Sequence, residues 1–331
     1  MSEPNRINGC TTSPVIDEAK YQKNLARIRA RGNSGPANTL EPDRNQQVEF
    51  FMADLVEYAI KDDQATMEAP VYSLSTKKDM KPWRWTSRDG KKSVEVMPGG
   101  YGRATQHDKD VLIYCTSQLV GAQNSGRKTS RTVRFTAHNF FLATRRQVDK
   151  DSYERFSKTL NRLKGTQITT NIVTGNSRAA KGFGLIDSWA IVEKTFANGV
   201  VRMVAVEVTI SEWLFNAIRD SEVLTINRDY FLLRKPLERR LYEIARKHVG
   251  RQGLWEIGIE ALRHKCGSTV GRLRQFHAAL EQVIEADSLP DYRFTLTPAG
   301  KAHFYTRDAQ QLAERILKAK SEKCRSVDKS K

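Results

Sequence analysis

The residues best suited to chemistry on a partner lie in CGSTVGRLRQFHAALEQVI, residues 266–284. Arg274 and Gln275 stand side by side there. An arginine can donate to both O6 and N7 of guanine, and a glutamine amide can pair with N6 and N7 of adenine. Gly271 and Ala278 are small enough to let a helix backbone come close to a surface, and Arg272 adds charge on their flank. The pattern behind them is helical. Val270, Leu273, Phe276, Ala279, Leu280, Val283 and Ile284 draw one apolar stripe, and at about 100° per residue Gly271, Arg274, Gln275 and Ala278 fall opposite it. Ser268 is placed to cap this helix. A helix whose solvent face merely happens to be basic has the same pattern, so its neighbours must decide.

A second basic face lies upstream. Tyr153, Phe156, Leu160 and Leu163 form the apolar stripe of a helix that Asp151 and Glu154 are spaced to open as a capping box, with Arg155, Lys158 and Arg162 opposite. Charge without amides or small residues suits phosphate contact. Contact with a second copy through a neighbouring sheet is the alternative use.

Catalytic constellations are wanting. A rolling-circle initiator, the nicking alternative, needs a metal-binding His-x-His pair and a nucleophilic tyrosine, and His107, His138, His248, His264, His277 and His303 include no two residues two apart. An ATP-driven loader needs G-x-x-x-x-G-K-[ST]. GNSRAAKG, residues 175–182, puts Ala180 where the second glycine belongs and Gly182 where the hydroxyl belongs. GGYGRAT, residues 99–105, follows no clear strand and reads as a loop rather than a dinucleotide fingerprint. Asp62 and Asp63 stand in a polar, turn-like context that predicts solvated charge. Cys10, Cys115, Cys266 and Cys324 are too scattered for a zinc site and fit a reducing compartment. The expectation is no catalytic chemistry, no metal and no cofactor.

Lys and Arg number 55 against 38 Asp and Glu, a formal charge of +17 over 331 residues. So large an excess repels itself unless a polyanion takes it up, which makes nucleic acid the leading partner. The start, MSEPNRINGC, lacks the basic and then apolar run of a secretory signal, and no stretch approaches the roughly 18 apolar residues of a membrane span. A cytoplasmic protein without membrane contact is expected.

The elements that must hold the two basic helices follow from periodicity. Residues 1–45 form a polar, basic arm that cannot offset its ordering entropy by burial. Residues 46–104 read as an N-terminal extension, with a short helix around VEFFMADLVEYAI and extended segments broken by Pro and Gly. Within 105–222 come a helix (HDKDVLIYCTSQLVGAQN), a strand (RTVRFT), a helix (HNFFLATRR), the basic helix and two or three strands, the last pair joined at Ala197-Asn198-Gly199. Within 223–310 the order recurs. VLTINRDYF reads as a strand, PLERRLYEIARKHVG as a helix between Pro236 and Gly250, and LWEIGIEALRHKCG as a strand running into a helix. The 266–284 helix and a hairpin around Pro298-Ala299-Gly300 follow, and residues 311–331 form a last helix and tail. The expected fold is α+β, two winged helix-turn-helix domains in tandem behind a flexible basic N-terminal arm. The second helix of such a unit enters the DNA major groove. Gly271, Arg272, Arg274, Gln275 and Ala278 are therefore the candidate contacts of one unit, and Arg155, Lys158 and Arg162 those of the other.

KPLERRLYEIARKHVGRQGLWEIGIEALRHKCGS, followed by RQFHAALEQVIEADSLPDY, resembles the C-terminal half of the plasmid replication initiator A (RepA) family. APVYSLS and HDKDVLIYCTSQLV resemble that family's N-terminal half, so the resemblance runs from about Met67 to Arg307. It implies a plasmid initiator whose winged-helix domains bind repeats of double-stranded DNA at the replication origin. By the same resemblance it helps recruit host replication proteins, the initiator DnaA and the replicative helicase. The first 65 residues match no pattern, and no catalytic motif is transferred. A winged-helix transcriptional regulator or autorepressor is the alternative, because fold does not fix function. Two linked, dissimilar units favour the initiator, with monomer or homodimer left open.

Overall fold

The computed structural model describes residues 50–52, 59–174, 181–195, 201–250 and 252–328. The basic arm, most of the expected 46–60 helix, most of GNSRAAKG and the Ala197-Asn198-Gly199 turn lie outside them. β1 (Phe50–Met52) is a strand where a helix was expected, and it pairs in parallel with residues 132–134. Three apolar residues in a row satisfy either period, and the available strand edge decides. β2 (Lys61–Asp63) leads into α1 (Gln64–Glu68), where Asp63 caps the Thr66 amide at 2.7 Å. β3 (Trp83–Thr86) and β4 (Ser93–Met97) form a hairpin with Trp85, Val94 and Val96 buried.

α2 (Lys109–Asn124) is the hub, with every residue from Lys109 to Ala122 buried. β5 (Thr132–Phe135) and α3 (Ala137–Ala143) follow, and then the basic helix α4 (Lys150–Gly165). Its cap is Asp149, which accepts from the Ser152 amide at 2.7 Å, so the helix starts ahead of the Asp151–Glu154 pair. β6 (Gln167–Thr170), β7 (Lys181–Gly184), β8 (Ile186–Thr195) and β9 (Val201–Ile210) come next, then α5 (Glu212–Arg219). FGLIDSWAIVEKT breaks at the buried Leu185, so β7 pairs with β6 while β8 pairs with β9 in another sheet. β10 (Val223–Thr225) is shorter than VLTINRDYF suggests. Asn227 turns the chain by accepting from the Asp229 amide at 2.9 Å, and a 3-10 helix, Arg228–Leu232, replaces the rest.

The second half holds α6 (Pro236–His248), β11 (Leu254–Gly258), α7 (Ile259–Cys266), α8 (Leu273–Ala286), β12 (Tyr292–Leu296), β13 (Lys301–Thr306) and α9 (Ala309–Asp328). The molecule is thus a mixed fold of helices and strands. One order occurs twice. α2, β5, α3 and α4 precede β8 and β9, which complete the order β5-β9-β8 after β6 and β7 of another sheet intervene, and α6, β11, α7 and α8 precede β12 and β13, which complete β11-β13-β12. The 46–104 segment is woven into both halves, since β2 pairs with β10, and β3 and β4 join β6 and β7 in one sheet.

Two apolar cores lie on either side of α2. The first stacks Tyr114, Phe135, Phe140 and Phe156, with ring centroids 5.0–6.5 Å apart. The second gathers Tyr230, Tyr242, Phe276, Leu280 and Phe304 and includes Ile113 from α2. Buried charge joins them. Asp62 is buried in a polar hub rather than solvated, because the fully buried Lys109 sends its Nζ to the Asp62 carboxyl at 2.6 Å and to Glu243 of α6 at 3.1 Å. Asp63 is buried as the cap of α1. The Arg240 guanidinium and the Tyr230 hydroxyl also reach Glu243, at 3.1 and 2.7 Å. Asp110 of α2 binds Arg239 and Arg146. A buried charge left unpaired is costly, which is why this hub carries its own counter-ions.

Candidate nucleic-acid interface

α7 ends at Gly267, whose φ of +70° reverses the chain, and five exposed or half-exposed residues, 268–272, lead to α8. α8 therefore begins at Leu273, later than the stripe from Val270 predicts. Ser268 does not cap it; Arg272 holds the N-cap position, and no side chain caps there. Gly271 and Arg272 accordingly belong to the turn, not to the helix face. The Arg263 guanidinium fixes that turn by donating to the carbonyls of Val270 and Gly271 at 3.2 and 3.3 Å.

Phe276, Leu280 and Val283 anchor α8 in the second core, which obliges the opposite face to meet solvent. Arg274, Gln275 and Ala278 are all exposed on it, next to the exposed Gly271 and Arg272 of the turn. Among the described residues, the side chains of Arg272, Arg274 and Gln275 make no hydrogen bond or ion pair. The helix is polarised along its length. Its first turn is cationic, whereas exposed Glu281 and Glu285 occupy the later turns, with Glu281 3.4 Å from His277. Only the N-terminal end invites a polyanion, a gradient the sequence carries but the apolar stripe does not reveal. The β12–β13 turn closes through Gly300 at φ +71°, its amide 3.0 Å from the Thr297 carbonyl. Arg293 and Arg307 near this hairpin are occupied by Asp287, at 2.7 and 2.5 Å. Those two arginines, Arg293 first, pull the Asp287 carboxyl down to about 2.

On α4, Arg155 and Lys158 are exposed, and Arg155 lies a loose 3.4 Å from Asp149. Arg162 turns inward. Its Nε and Nη2 grip the carboxylate of buried Asp108, both at 2.7 Å, and these hydrogen bonds raise its pKa further. The three residues line one cleft of about 340 Å³ with Lys77, Lys78 and Tyr101. Lys77 and Lys78, exposed and without ion pairs among the described residues, enter this site from the extension. Sequence reasoning missed them, although the KK pair was the available signal. Arg146, also on the cleft, is committed to Asp110 and to the His107 carbonyl.

Among the described residues, no group of three or more His, Cys, Asp or Glu is placed to hold a metal, and no helix is long and apolar enough to cross a membrane. Cys115 and Cys266 are buried free thiols, the latter pushed up to about 12 by burial.

Residues 61–294 match the family described as replication initiator protein A. A "putative replication protein" of Wigglesworthia glossinidia brevipalpis is 37% identical over 254 residues, covering 75% of this chain and 90% of that protein. Among solved structures, the crystal structure of domains 2 and 3 of RctB superposes with a TM-score of 0.52 at 11% identity. It covers 73% of this chain and 97% of that one. At that identity the likeness is one of fold.

Proposed function

The chain belongs to the replication initiator protein A family, and from that premise we propose that it initiates plasmid replication by binding repeats of double-stranded DNA at the origin. Two winged helix-turn-helix units do the binding, and no covalent chemistry is involved. The observation that carries this reading is the exposed, unpartnered Arg274–Gln275 pair at the N-terminal end of α8, behind a reversed turn and beside a three-stranded sheet. In a helix-turn-helix, the first residues of the second helix meet base edges. Arg274 and Gln275 read bases, Gly271 and Ala278 allow close approach, and Arg272 holds a phosphate at the groove edge.

The α4 unit supplies phosphate contacts through Arg155 and Lys158, with Arg162 holding α4 against α2 through Asp108. Linking two modules raises the effective concentration of the second at its half of the site, so the pair holds a distorted duplex that neither would hold alone. Host DnaA and the replicative helicase then act on the opened DNA in the cytoplasm, and a homodimer formed through a sheet edge is the alternative to a monomer.

The test compares wild type with Arg274→Ala and Gln275→Ala on origin repeats and on random DNA. Loss of about 1–3 kcal/mol on the repeats, with much less on random DNA, is the expected result. Equal loss on both would reassign the residue to phosphate, and indifference on both would remove α8 from the interface. Incubation of purified protein with supercoiled origin DNA, divalent metal and ATP should give site-specific protection without nicking, covalent adduct or phosphate release. Nicking that survives purification would restore a rolling-circle mechanism.

A further inference from the structure

From sequence the β3–β4 hairpin reads only as part of an extension, and neither α4 nor α8 accounts for its chemistry. Its tip, SRDGKK at 87–92, exposes Arg88, Lys91 and Lys92. Among the described residues, none of these three side chains makes an ion pair or hydrogen bond. The single acid, Asp89, is already occupied by the Ser87 hydroxyl at 2.5 Å and the Lys91 amide at 3.1 Å.

The turn is rigidly built. The Ser87 amide donates to the Lys92 carbonyl at 2.8 Å, the Lys92 amide to Ser87 Oγ at 2.9 Å, and Gly90 sits at φ +70° with open space around it. Asn171 braces it from beyond β6, accepting from the Ser93 amide at 2.7 Å and donating to the Lys91 carbonyl at 3.0 Å. Such order in a cationic loop has a use: a preorganised set of charges loses little entropy when an anion arrives.

The base of the hairpin is fastened to the helix-turn-helix. Buried Trp85 of β3 stacks on His264 of α7 with centroids 6.3 Å apart, and the Lys265 ammonium lies 5.9 Å from the same ring. Just beyond, Gly267 packs so closely on Pro70 that an added Cβ would lie 2.6 Å from the Pro70 Cβ. The tip begins two residues past Trp85, so it stands within roughly 10–15 Å of this anchor. The field there is unbalanced. Lys247 and Lys265 share one carboxylate, Glu68, at 3.5 and 2.5 Å, and unpaired Lys92 adds to the positive charge felt by Lys247. Burial, reinforced by Lys92 and Lys265, brings the Lys247 ammonium down to about 8.

We propose that the β3–β4 hairpin is a third DNA-contacting element, whose Arg88, Lys91 and Lys92 clamp the phosphate backbone flanking the segment bound by α8. The inference rests on the reading of α8 as the base-contacting helix. It adds a partner surface drawn from the segment outside both repeated units and held in place by α7.

The experiment uses the full chain with Arg88→Gln, Lys91→Gln and Lys92→Gln combined, beside an Arg274→Ala control. All three hairpin residues are exposed, so unchanged circular dichroism and melting temperature serve as the folding control. The slope of log K against log salt on the origin repeat should fall by about 0.9 for each phosphate no longer neutralised, up to about 2.7 for three. Hydroxyl-radical footprints should lose protection on the backbone beside the α8 segment while keeping it at the centre. The preference for the repeat over random DNA should persist in the hairpin variant and fall in Arg274→Ala. An unchanged slope and footprint, with Arg274→Ala still losing preference, overturns the hairpin assignment and leaves the function standing. No preference for the repeat by wild type overturns both.

Discussion

Replacing Lys109 with Met removes the cation that joins the two halves and keeps the volume of the stem. In the wild type its Nζ lies 2.6 Å from Asp62 and 3.1 Å from Glu243, and all three side chains are at most 2% exposed. Removing one partner of a buried ion pair costs about 3–5 kcal/mol. The lower end applies here, because Glu243 keeps Arg240 at 3.1 Å and the Tyr230 hydroxyl at 2.7 Å. Asp62 also has an escape. Burial first, with Glu243 and Asp63 adding to it against the opposing pull of Lys109, raises its carboxyl to about 8, so the variant can keep it neutral. The expected deficit is about 3 kcal/mol, a fall of about 6 °C in Tm for a unit of this size. It should be flat between pH 5 and 7, where Asp62 holds its proton in both proteins. Above about pH 8 it should widen, since the wild type then releases that proton beside an ammonium and the variant has none. Differential scanning calorimetry and urea unfolding at pH 5, 7 and 9 measure both features. A deficit below about 1 kcal/mol, or one that shrinks above pH 8, would refute the account of the hub.

Asp62→Asn tests the same hub from the other side. A folded-state pKa raised above the unfolded value means stability is lost as pH rises from about 4 to about 8, so urea midpoints of the Asn variant should vary less across pH 5–8 than those of wild type. Gly267→Ala forces a left-handed residue, costing about 1–2 kcal/mol, and drives its Cβ to 2.6 Å from Pro70. Gly300→Ala, at φ +71° in open space, carries the first cost alone. Denaturant unfolding should therefore rank Gly267→Ala at least about 1 kcal/mol worse. Arg155→Gln with Lys158→Gln should flatten the salt dependence of DNA binding by about 0.9 for each phosphate left without its cation, at unchanged stability. Arg162→Gln, which takes the cation from buried Asp108 and leaves it the Thr105 and Thr159 hydrogen bonds, should lower stability by about 1–3 kcal/mol, and equal stability of the two variants would contradict the inward role of Arg162.

How legible the molecule was depends on the range of the interactions. Periodicity and caps are local, so the apolar faces of α4, α6 and α8, the Pro236 start and Gly250 stop of α6, and the β12–β13 hairpin could be read directly. The candidate cations of α4 and α8 were found the same way, because the face opposite a buried stripe must meet solvent. What the stripe could not tell was whether an arginine on that face is free. Among the described residues Arg274 is unpartnered while Arg162 is tied to Asp108, 54 residues earlier in the chain, and no helical spacing records such a pairing. The same limit hid the fate of Asp62, whose partner Lys109 comes from α2 and is shared with Glu243 of α6. It also hid the start of α8, set by the left-handed Gly267 against Pro70 and by Arg263 holding the turn. The sequence by itself determined the long periodic helices, their apolar faces and the net positive charge, whereas β1 and the 3-10 helix at 228–232 depended on strand edges and turns that periodicity does not record. Tertiary structure alone decided which charges are spent inside, because ion pairing depends on distances across elements far apart in the chain, and burial makes each such pairing obligatory.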